Sequence, residues 1–299
     1  MKIGILTSGG DAPGMNACIV ALVQNLKLQN HEIFFVNRGF QGLLDNDIEL
    51  ANLKDQYLAP YYFLAGSLIC SSRALTFAQD VDMAVANVRQ HQLDLIIVIG
   101  GSGSYLGAKL LAEKQVATLF IPASIDNDVD MSDTSLGFSS ACQEVVNDYV
   151  KMMSTTVTHK GICFMEVMGR YCKDLAETSG LAVNADLTIT SGMSHIDYAQ
   201  VAQDLIKIYQ TKGSAMVVVS EHTVSEENQN YLLHTLEQEL HLKPRWFVLG
   251  HLQRGATPNY IDLKLANELA QKAAQAINNL QINIAVVVDN HKITIKPIL

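Results

Sequence analysis

Residues 95–104 read Leu-Ile-Ile-Val-Ile-Gly-Gly-Ser-Gly-Ser, an apolar run that breaks into a glycine-rich turn. A continuous apolar run of this length, without alternation, is typical of a strand buried on both faces of a parallel sheet. Segments 81–92 and 105–114, on either side, carry apolar residues at helical spacing. Strand and helix therefore alternate here, and this alternation predicts a parallel sheet covered by helices.

The same alternation extends over the rest of the chain. Further strands are predicted at 2–7, 33–37, 117–121, 161–167, 187–190, 215–219, 246–249, 283–289 and 292–296. Further helices are predicted at 15–29, 142–153, 198–210, 229–239 and 263–277. The predicted fold class is α/β, with two stacked, Rossmann-like three-layer α/β domains and an active-site cleft between them.

Composition limits the kind of protein. The 299 residues are 48% apolar and 17% charged, which is enough for the cores of two domains. The formal charge of −9 disfavours a nucleic-acid partner. Apolar runs are too short to span a membrane and the first strand starts at residue 2, so we expect a cytoplasmic protein without a signal peptide. The five cysteines lack the paired spacing that indicates zinc or a disulfide framework.

Two glycine-rich turns follow predicted strands. One is the turn at 100–104, and the other is residues 8–16, Ser-Gly-Gly-Asp-Ala-Pro-Gly-Met-Asn. Glycines let the backbone and its N–H groups approach a phosphate closely. The turn at 100–104 matches neither a Walker A loop nor the dinucleotide spacing. Alone, this turn is compatible with simple turn geometry, whereas the pair of turns indicates a nucleotide site.

A pair of carboxylates follows a third predicted strand. Residues 124–128 read Ser-Ile-Asp-Asn-Asp, so Asp126 and Asp128 stand two apart shortly after strand 117–121. Carboxylates at such a position serve as general bases and as metal ligands in phosphoryl transfer. The alternative interpretation is an Asp/Asn turn that caps the strand.

Five segments in this order resemble 6-phosphofructokinases of the ATP-dependent bacterial type, and the match covers nearly the whole chain. They are residues 7–16, 99–104, 124–128, 166–171 (Glu-Val-Met-Gly-Arg-Tyr) and 250–255 (Gly-His-Leu-Gln-Arg-Gly). The resemblance implies a nucleotide-binding domain, 1–137 plus 253–299, and a sugar-phosphate-binding domain, 138–252. It also implies a homo-oligomer, a dimer of dimers, in which neighbouring subunits share sugar-phosphate sites.

The resemblance implies a role for each matched residue around the nucleotide. Asp126 would be the base that takes the proton from the 1-hydroxyl of fructose 6-phosphate, beside Ser124. Asp128 would hold Mg²⁺ through water. Arg73 would neutralise the phosphoryl group in transfer, with a solvated loop residue as the alternative. The ATP phosphates would contact Gly10, Gly101, Ser102, Gly103 and Ser104, and the N–H of Gly10 would meet the γ-phosphate.

A second set of residues would bind the sugar phosphate. The turn that resembles the family's grip on the reactive end of the sugar comprises Met168, Gly169 and Arg170, and Arg170 would also serve catalysis. Glu221 would accept hydrogen bonds from sugar hydroxyls. The 6-phosphate would be held by Arg245, His251 and Arg254, because planar guanidinium groups suit phosphate oxygens.

Small residues at two positions favour ATP over diphosphate as the phosphoryl donor. Family members that use diphosphate carry an aspartate at the position of Gly103 and a lysine at the position of Ala123. Those larger groups fill the space of the nucleoside and the α-phosphate. Phe40 is either a neighbour of the adenine or a core residue.

Two departures from the family pattern remove charge. Ser102 stands where the family has an aspartate that contacts Mg²⁺, so we expect weakened metal binding. Gly161 stands where the family has an arginine that reaches the 6-phosphate across a subunit interface. Lys160 is a candidate substitute for that arginine, but strand alternation predicts that it points to the opposite face.

The resemblance thus predicts a glycolytic transferase that makes fructose 1,6-bisphosphate from fructose 6-phosphate and ATP, with Mg²⁺. We expect no effector control, because Val20, Gln24 and Met153 replace arginines of the allosteric enzymes and only Lys212 is kept. Two alternatives remain open. One is a catalytically impaired paralogue that binds nucleotide or sugar phosphate and joins an active enzyme in a hetero-oligomer. The other is a kinase for a different sugar phosphate.

Overall fold

A computed structural model describes residues 1–51, 58–193 and 196–299. It divides the chain into two compact units. Unit 1 comprises Met1–Ser140 and Arg254–Leu299, and unit 2 comprises Ala141–Gln253. The chain therefore enters unit 2 after Ser140 and returns to unit 1 at the peptide bond that joins Gln253 to Arg254.

Strands and helices alternate along the described residues. The strands are β1 Lys2–Ser8, β2 Glu32–Val36, β3 Ile48–Leu50, β4 Leu95–Gly100, β5 Thr118–Pro122, β6 Ile162–Val167, β7 Leu187–Ile189, β8 Ala215–Ser220, β9 Arg245–Val248, β10 Ile284–Asp289 and β11 Lys292–Pro297. The α-helices are α1 Met15–Lys27, α2 Phe40–Asp45, α3 Phe77–Gln90, α4 Ser102–Glu113, α5 Phe138–Thr158, α6 Asp174–Ala182, α7 Tyr198–Lys212, α8 Glu226–Leu240 and α9 Tyr260–Asn278. Short 3-10 turns occur at Ala59–Tyr61 and Gly250–Gln253.

Unit 1 contains a seven-stranded sheet in the order β11-β10-β5-β4-β1-β2-β3. Every residue of β4 and β5 is buried, as their unbroken apolar sequences predict. Helices α2, α3 and α4 pack in one hydrophobic cluster with the strands, and α1 packs against α9. The unit is thus an α/β fold around one sheet, and the predicted α/β class is confirmed.

The sheet of unit 1 is not wholly parallel, which corrects the sequence prediction at its two edges. Strands β3 and β11 run antiparallel to their neighbours β2 and β10. Strand β11 follows β10 after only Asn290 and His291, whose φ angles are 49° and 61°. Two consecutive residues with positive φ form a tight hairpin turn, which forces the next strand to run back.

Unit 2 contains a four-stranded parallel sheet in the order β7-β8-β6-β9. Helices α7 and α8 pack on it through a cluster that includes Ala202, Leu205, Leu232 and Leu236. Helix α6 contacts β7 and β8. The strand and helix alternation predicted for residues 142–249 is present, with one additional helix.

Three elements, α2, β3 and α6, have no counterpart among the predicted strands and helices. Helix α2 has six residues and β3 has three, so neither shows a readable period. Helix α6 reads Asp-Leu-Ala-Glu-Thr-Ser-Gly-Leu-Ala and contains four poor helix formers, Asp, Thr, Ser and Gly, which weaken its helical signal. Among the described residues, no helix is both long enough and apolar enough to cross a bilayer.

Candidate active site

The three turns singled out in the sequence lie side by side at one edge of the unit 1 sheet. Strands β1, β4 and β5 are adjacent, and their register places Ser8 opposite Gly100 and Gly100 opposite Pro122. All three strands therefore end at the same level. The chain runs from β1 to β2 on one side of β1 and continues with β4 on the other side. Open α/β sheets bind ligands at such a reversal of strand order.

The two glycine turns are in direct contact. The hydroxyl of Ser104 donates to the carbonyl oxygen of Ser8 at 2.9 Å. A Cβ on Gly100 would lie 2.5 Å from that same oxygen. Only glycine therefore allows β4 to end so close to β1, which explains the glycine at this position.

Arg254 is joined to the first glycine turn. Its side chain is largely buried, at 9% exposed, and its Nη1 donates to the carbonyl oxygen of Asp11 at 2.9 Å. A Cβ on Gly10 would overlap the guanidinium, with Cζ at 2.8 Å. The structure therefore places this guanidinium beside the turn that is predicted to meet the γ-phosphate. The role of Arg254 at the 6-phosphate stays a prediction.

The loop that carries Arg73 is tied to the same turn. Gly9 N–H donates to the carbonyl oxygen of Ser72 at 3.1 Å, and the Ser71 hydroxyl donates to the carbonyl oxygen of Gly9 at 2.9 Å. Arg73 follows directly and is exposed. Its backbone is therefore held next to the glycine turn, while its side chain can extend to a ligand.

Residues 124–128 form a turn with internal hydrogen bonds. The Ser124 hydroxyl donates to Oδ1 of Asp128 at 2.7 Å and accepts the N–H of Asp126 at 3.3 Å. Oδ1 of Asn127 accepts the N–H of Ser135 at 2.9 Å. The Asp126 side chain is 5% exposed. These bonds hold the turn, and with it the backbone that carries the two carboxylates, in one arrangement.

Ser102 contacts this turn. Its hydroxyl donates to the main-chain carbonyl oxygen of Asp128 at 2.5 Å. An aspartate at position 102 has no hydrogen to donate when ionised, so it could not make this bond. The serine therefore connects the first turn of α4 to the turn at residues 124–128.

The beginning of α4 has the features of a phosphate site. Its N-cap is Gly101, and the first helical residues are Ser102 and Gly103. The first N–H groups of a helix lack intrahelical partners and attract anions. A Cβ on Gly103 would meet no atom within 4 Å, so the space beside it is open.

The carboxylates of unit 1 suit a metal ion that arrives with phosphates. No group of three or more His, Cys, Asp or Glu side chains in the described part of the chain could hold a metal ion. Mg²⁺ is often bound through one or two carboxylates together with substrate phosphates. Asp128 fits such a site, in which phosphates supply most of the ligands, whereas a closed cage of protein ligands is not present among the described residues.

The predicted sugar-binding turn lies in unit 2, after β6. Met168 N–H donates to Oε1 of Gln253 at 3.1 Å, and Arg170 N–H donates to Oε1 of Glu221 at 3.0 Å. Gly169 has a φ of 130°, which glycine alone adopts readily. Glu221 and Gln253 therefore fix the turn, and the structure brings Glu221 together with residues 168–170.

Gln253 was missed by the sequence analysis. It is fully buried, and its Nε2 donates to the carbonyl oxygen of Gly250 at 2.8 Å. A single glutamine between an apolar residue and an arginine gives no signal of burial. Its position inside the segment at 250–255 was the only available indication.

The remaining predicted phosphate ligands of unit 2 are exposed. Arg245 begins β9, opposite Cys163 of β6, and His251 lies in the 3-10 turn. The next residue of β9, Trp246, stacks on Phe164 and donates to Glu166 Oε2 at 2.7 Å. Strand β9 is thus anchored by Trp246 while Arg245 is left accessible.

Phe40 and two residues at the positions of the effector site lie outside these turns. Phe40 is 3% exposed and its ring centroid lies 4.2 Å from that of Phe77, so it is a core residue. Val20 is buried, and Lys212 forms an ion pair with Asp186. Val20 carries no charge, and the charge of Lys212 is paired within unit 2.

Comparison with known proteins identifies the family. The sequence profile described as "Phosphofructokinase" matches residues 2–277. The chain belongs to the phosphofructokinase family. A "probable ATP-dependent 6-phosphofructokinase" of Mycoplasma pneumoniae is 36% identical over 92% of this chain and 84% of its own. An "ATP-dependent 6-phosphofructokinase" of Staphylococcus epidermidis is 34% identical over 99% of this chain and 92% of its own.

Solved structures of the family share the fold. Phosphofructokinase from Saccharomyces cerevisiae superposes with a TM-score of 0.87 at 25% identity, covering 99% of this chain and 44% of the yeast chain. A pyrophosphate-dependent phosphofructokinase from Nitrosospira multiformis gives a TM-score of 0.88 at 16% identity, over 99% of this chain and 82% of its own, which shows the fold alone. The family resemblance inferred from five short segments is confirmed.

Proposed function

We propose that this phosphofructokinase-family protein transfers the γ-phosphoryl group of ATP to the 1-hydroxyl of fructose 6-phosphate, the step of glycolysis that gives fructose 1,6-bisphosphate. One observation supports this most directly. A buried aspartate, Asp126, lies in a hydrogen-bonded turn beside two glycine turns at a reversal of strand order. The two relatives that match 92% and 99% of this chain are named ATP-dependent 6-phosphofructokinases, the first of them as probable.

In the proposed mechanism, Asp126 takes the proton from the sugar 1-hydroxyl as the oxygen attacks the γ-phosphorus. A positioned general base typically accelerates a reaction by about 10²–10⁴-fold. The bond from Asp126 N–H to the Ser124 hydroxyl fixes the backbone from which this carboxylate extends. Ser124 therefore acts by positioning the two carboxylates of the turn.

Positive charge and backbone N–H groups would stabilise the phosphoryl group in transfer. Phosphoryl transfer depends mainly on positioning and on electrostatic stabilisation. Arg73 and Arg170 are the proposed cations. The proposed backbone and hydroxyl contacts to the nucleotide phosphates are Gly10, Gly101, Ser102, Gly103 and Ser104.

Asp128 is the proposed metal-binding residue, and Mg²⁺ would bring charge neutralisation to the phosphates. One oxygen of its carboxylate already accepts the Ser124 hydroxyl. Ser102 adds no negative charge, so the metal would rely on the nucleotide for most of its ligands. We therefore propose a requirement for more Mg²⁺ than in relatives with an aspartate there.

The sugar phosphate would be bound by the turn at residues 168–170 and by Glu221, with the 6-phosphate held by Arg245, His251 and Arg254. The donor would be ATP because the space beside Gly103 is open. The absent effector arginines support a flat response to ADP and phosphoenolpyruvate. A homo-oligomer remains the proposed assembly.

The test is a coupled assay with ATP, Mg²⁺ and fructose 6-phosphate on the wild type, Asp126→Asn and Asp130→Asn. Asp130 is an exposed aspartate of the same loop, so its replacement makes a matched charge change. We expect Asp126→Asn to lower kcat by about 10²–10⁴-fold, and Asp130→Asn to leave it unchanged. Thermal melting shows whether each variant is folded.

The outcomes separate the proposal from its alternatives. Full turnover in Asp126→Asn would contradict the assignment of the base. A wild type that binds ATP in calorimetry without turning over fructose 6-phosphate or other phosphosugars would favour the impaired paralogue. Faster turnover with another phosphosugar would identify a different substrate.

A further inference from the structure

A pocket in unit 2 has three cationic residues in its lining, Lys160, Lys243 and Arg245. It lies at the end of α5 and the start of β9, and its walls include His159, Lys160, Gly161, Lys243 and Arg245. No carboxylate is among its lining residues. The pocket has a volume of about 100 Å³, several times the roughly 10–15 Å³ that a cavity needs to hold one water molecule. The space therefore suits a group the size of a phosphate.

The cations of this pocket have no acidic partner among the described residues. The ion pairs of Lys151, Lys173, Lys207 and Lys212 in unit 2 show the usual arrangement, in which each lysine meets an Asp or a Glu. The whole chain carries a formal charge of −9. A cluster of unneutralised positive charge in an acidic protein attracts an anion.

The end of helix α5 explains only part of this cluster. Cations are favoured at a helix C-terminus, and Lys160 lies two residues after the end of α5. The last carbonyl groups of α5 already accept backbone N–H groups, including those of His159, Lys160 and Gly161. Lys243 and Arg245 come from the segment that leads into β9, so the helix does not account for them.

Gly161 opens the pocket. A Cβ at this position would meet only the carbonyl oxygen of Thr156, at 3.8 Å, so a longer side chain here would enter open space. Lys160 lines the same pocket as Gly161, although strand alternation predicted that it points to the opposite face. Strand β6 begins only at Ile162, and Lys160 has a φ of 48°, so the alternation of a strand does not apply to it.

Lys243 is held by its neighbours. It precedes Pro244, which is buried, and a residue before proline is restricted to extended backbone. The tryptophan that follows Arg245 anchors β9 to β6. The backbone that presents Lys243 and Arg245 is therefore fixed, and only their exposed side chains need to adjust to a ligand.

We propose that Lys243, with Lys160, supplies the positive charge that holds the phosphate of the phosphosugar in this pocket, where Gly161 supplies none. The inference rests on the proposed function, since it identifies which side chains recognise the phosphate of the phosphosugar. A lysine ammonium binds phosphate as a point charge, whereas arginine offers a planar fork. Lys243 is thus a specificity-determining residue of this chain.

The experiment compares Lys243→Gln with Lys207→Gln, a matched control that removes an exposed lysine of the same unit outside the pocket. Isothermal titration calorimetry measures binding of fructose 6-phosphate and of inorganic phosphate, and the coupled assay gives each KM and kcat. We expect Lys243→Gln to raise the Kd and KM for fructose 6-phosphate about tenfold, the effect of one lost charge-assisted contact. The KM for ATP should not change.

Two further variants test whether the charge of Lys243 takes the place of a cation at position 161. Lys243→Arg should retain wild-type binding, because it keeps the charge. Gly161→Arg, added to Lys243→Gln, should restore binding of fructose 6-phosphate, because it returns a cation to the same pocket. Loss of binding in Lys243→Arg, or no recovery in the double variant, would overturn the proposal.

The remaining outcomes distinguish this inference from the proposed function. A shift in Lys243→Gln no larger than that in Lys207→Gln overturns the inference, even if the wild type is an active kinase. Loss of fructose 6-phosphate binding in Lys243→Gln supports it, even if the wild type shows no turnover. If Lys243→Gln weakens only the binding of inorganic phosphate, the pocket is a free-phosphate site and the monoester assignment is wrong.

Discussion

Replacing Ser102 by aspartate tests how this protein manages with one fewer negative charge near its proposed metal. The Ser102 hydroxyl donates to the carbonyl oxygen of Asp128, and Ser124 donates to the carboxylate of the same residue. Ser102→Asp removes the first bond and adds a charge. Ser102→Ala removes the bond alone, and Ser102→Asn is the uncharged match for the aspartate.

The expected change in stability is small, because two effects oppose each other. A neutral hydrogen bond contributes about 0.5–1.5 kcal/mol. A carboxylate in the first turn of a helix contributes about 0.3–1 kcal/mol, and Ser102 is the first residue of α4. The two nearly cancel, and bound Mg²⁺ offsets the repulsion between the new carboxylate and that of Asp128, so with Mg²⁺ and ATP present Ser102→Asp should melt close to the wild type. Ser102→Ala should melt lower, because it loses the bond without the gain.

The expected change in activity is larger. Two unit charges about 4 Å apart interact by about 4 kcal/mol at an effective dielectric constant of about 20. The new carboxylate would attract Mg²⁺ but would also repel the nearby carboxylate of Asp128, so most of this energy is offset. A net gain of about 1–2 kcal/mol corresponds to a factor of about 5–30. We expect kcat/KM for ATP to rise by that factor.

The assay is the coupled reaction at varied Mg²⁺, and the half-saturating Mg²⁺ concentration is a second measurement. Ser102→Asp should lower that concentration, whereas Ser102→Asn should not. If Ser102→Asp and Ser102→Asn have the same kcat/KM and the same Mg²⁺ requirement, a missing charge at position 102 does not limit this protein.

Two further predictions concern buried polar side chains. Gln253→Met removes the acceptor of Met168 N–H, so we expect a loss of about 1–3 kcal/mol in stability. The KM for fructose 6-phosphate should rise while the KM for ATP stays unchanged. Thermal melting and kinetics measure these two effects, and an unaltered KM for fructose 6-phosphate would show that Gln253 does not position the turn. Asp262 accepts hydrogen bonds from Gly137 and Ser140, and burial raises its pKa above the ordinary 3.8 while these bonds lower it. The folded protein then holds this proton more tightly than the unfolded chain, so the stabilising contribution is complete below the unfolded pKa and is lost as pH rises through the folded pKa. Denaturant unfolding against pH should show a decline in the wild type that is weaker in Asp262→Asn, and equal slopes would contradict it.

Much of the fold was predictable because its signals are local. Strands β4 and β5 are buried on both faces, and their sequences show this as unbroken apolar runs. The helix at 142–153 was predicted too short, since α5 extends over Phe138–Thr158. Its first turn is capped by Asp262, a residue 122 positions away from Ser140. Because this cap comes from a distant residue, the sequence around residue 138 does not show where the helix begins.

The motifs of the candidate site could be predicted from the sequence, but the hydrogen bonds that join them could not. The glycine turns and the segment at 124–128 are short motifs, and their chemistry can be read from a few adjacent residues. The partners of Ser102, Arg254 and Gln253 could not be read in this way. Their partners are 26, 243 and 85 residues distant in sequence, respectively.

The sequence by itself determined the family, the α/β class and the positions of the turns that carry chemistry. Each of these depends on apolar period, on glycine and on short runs of polar residues, which are properties of neighbouring residues. The tertiary structure decided that Arg254 lies against Gly10, that Gln253 holds the turn after β6, and that Lys160 and Lys243 share a pocket with Gly161. Packing brings together segments that are far apart in the chain, and the side chains that meet there are set by strand register and helix length.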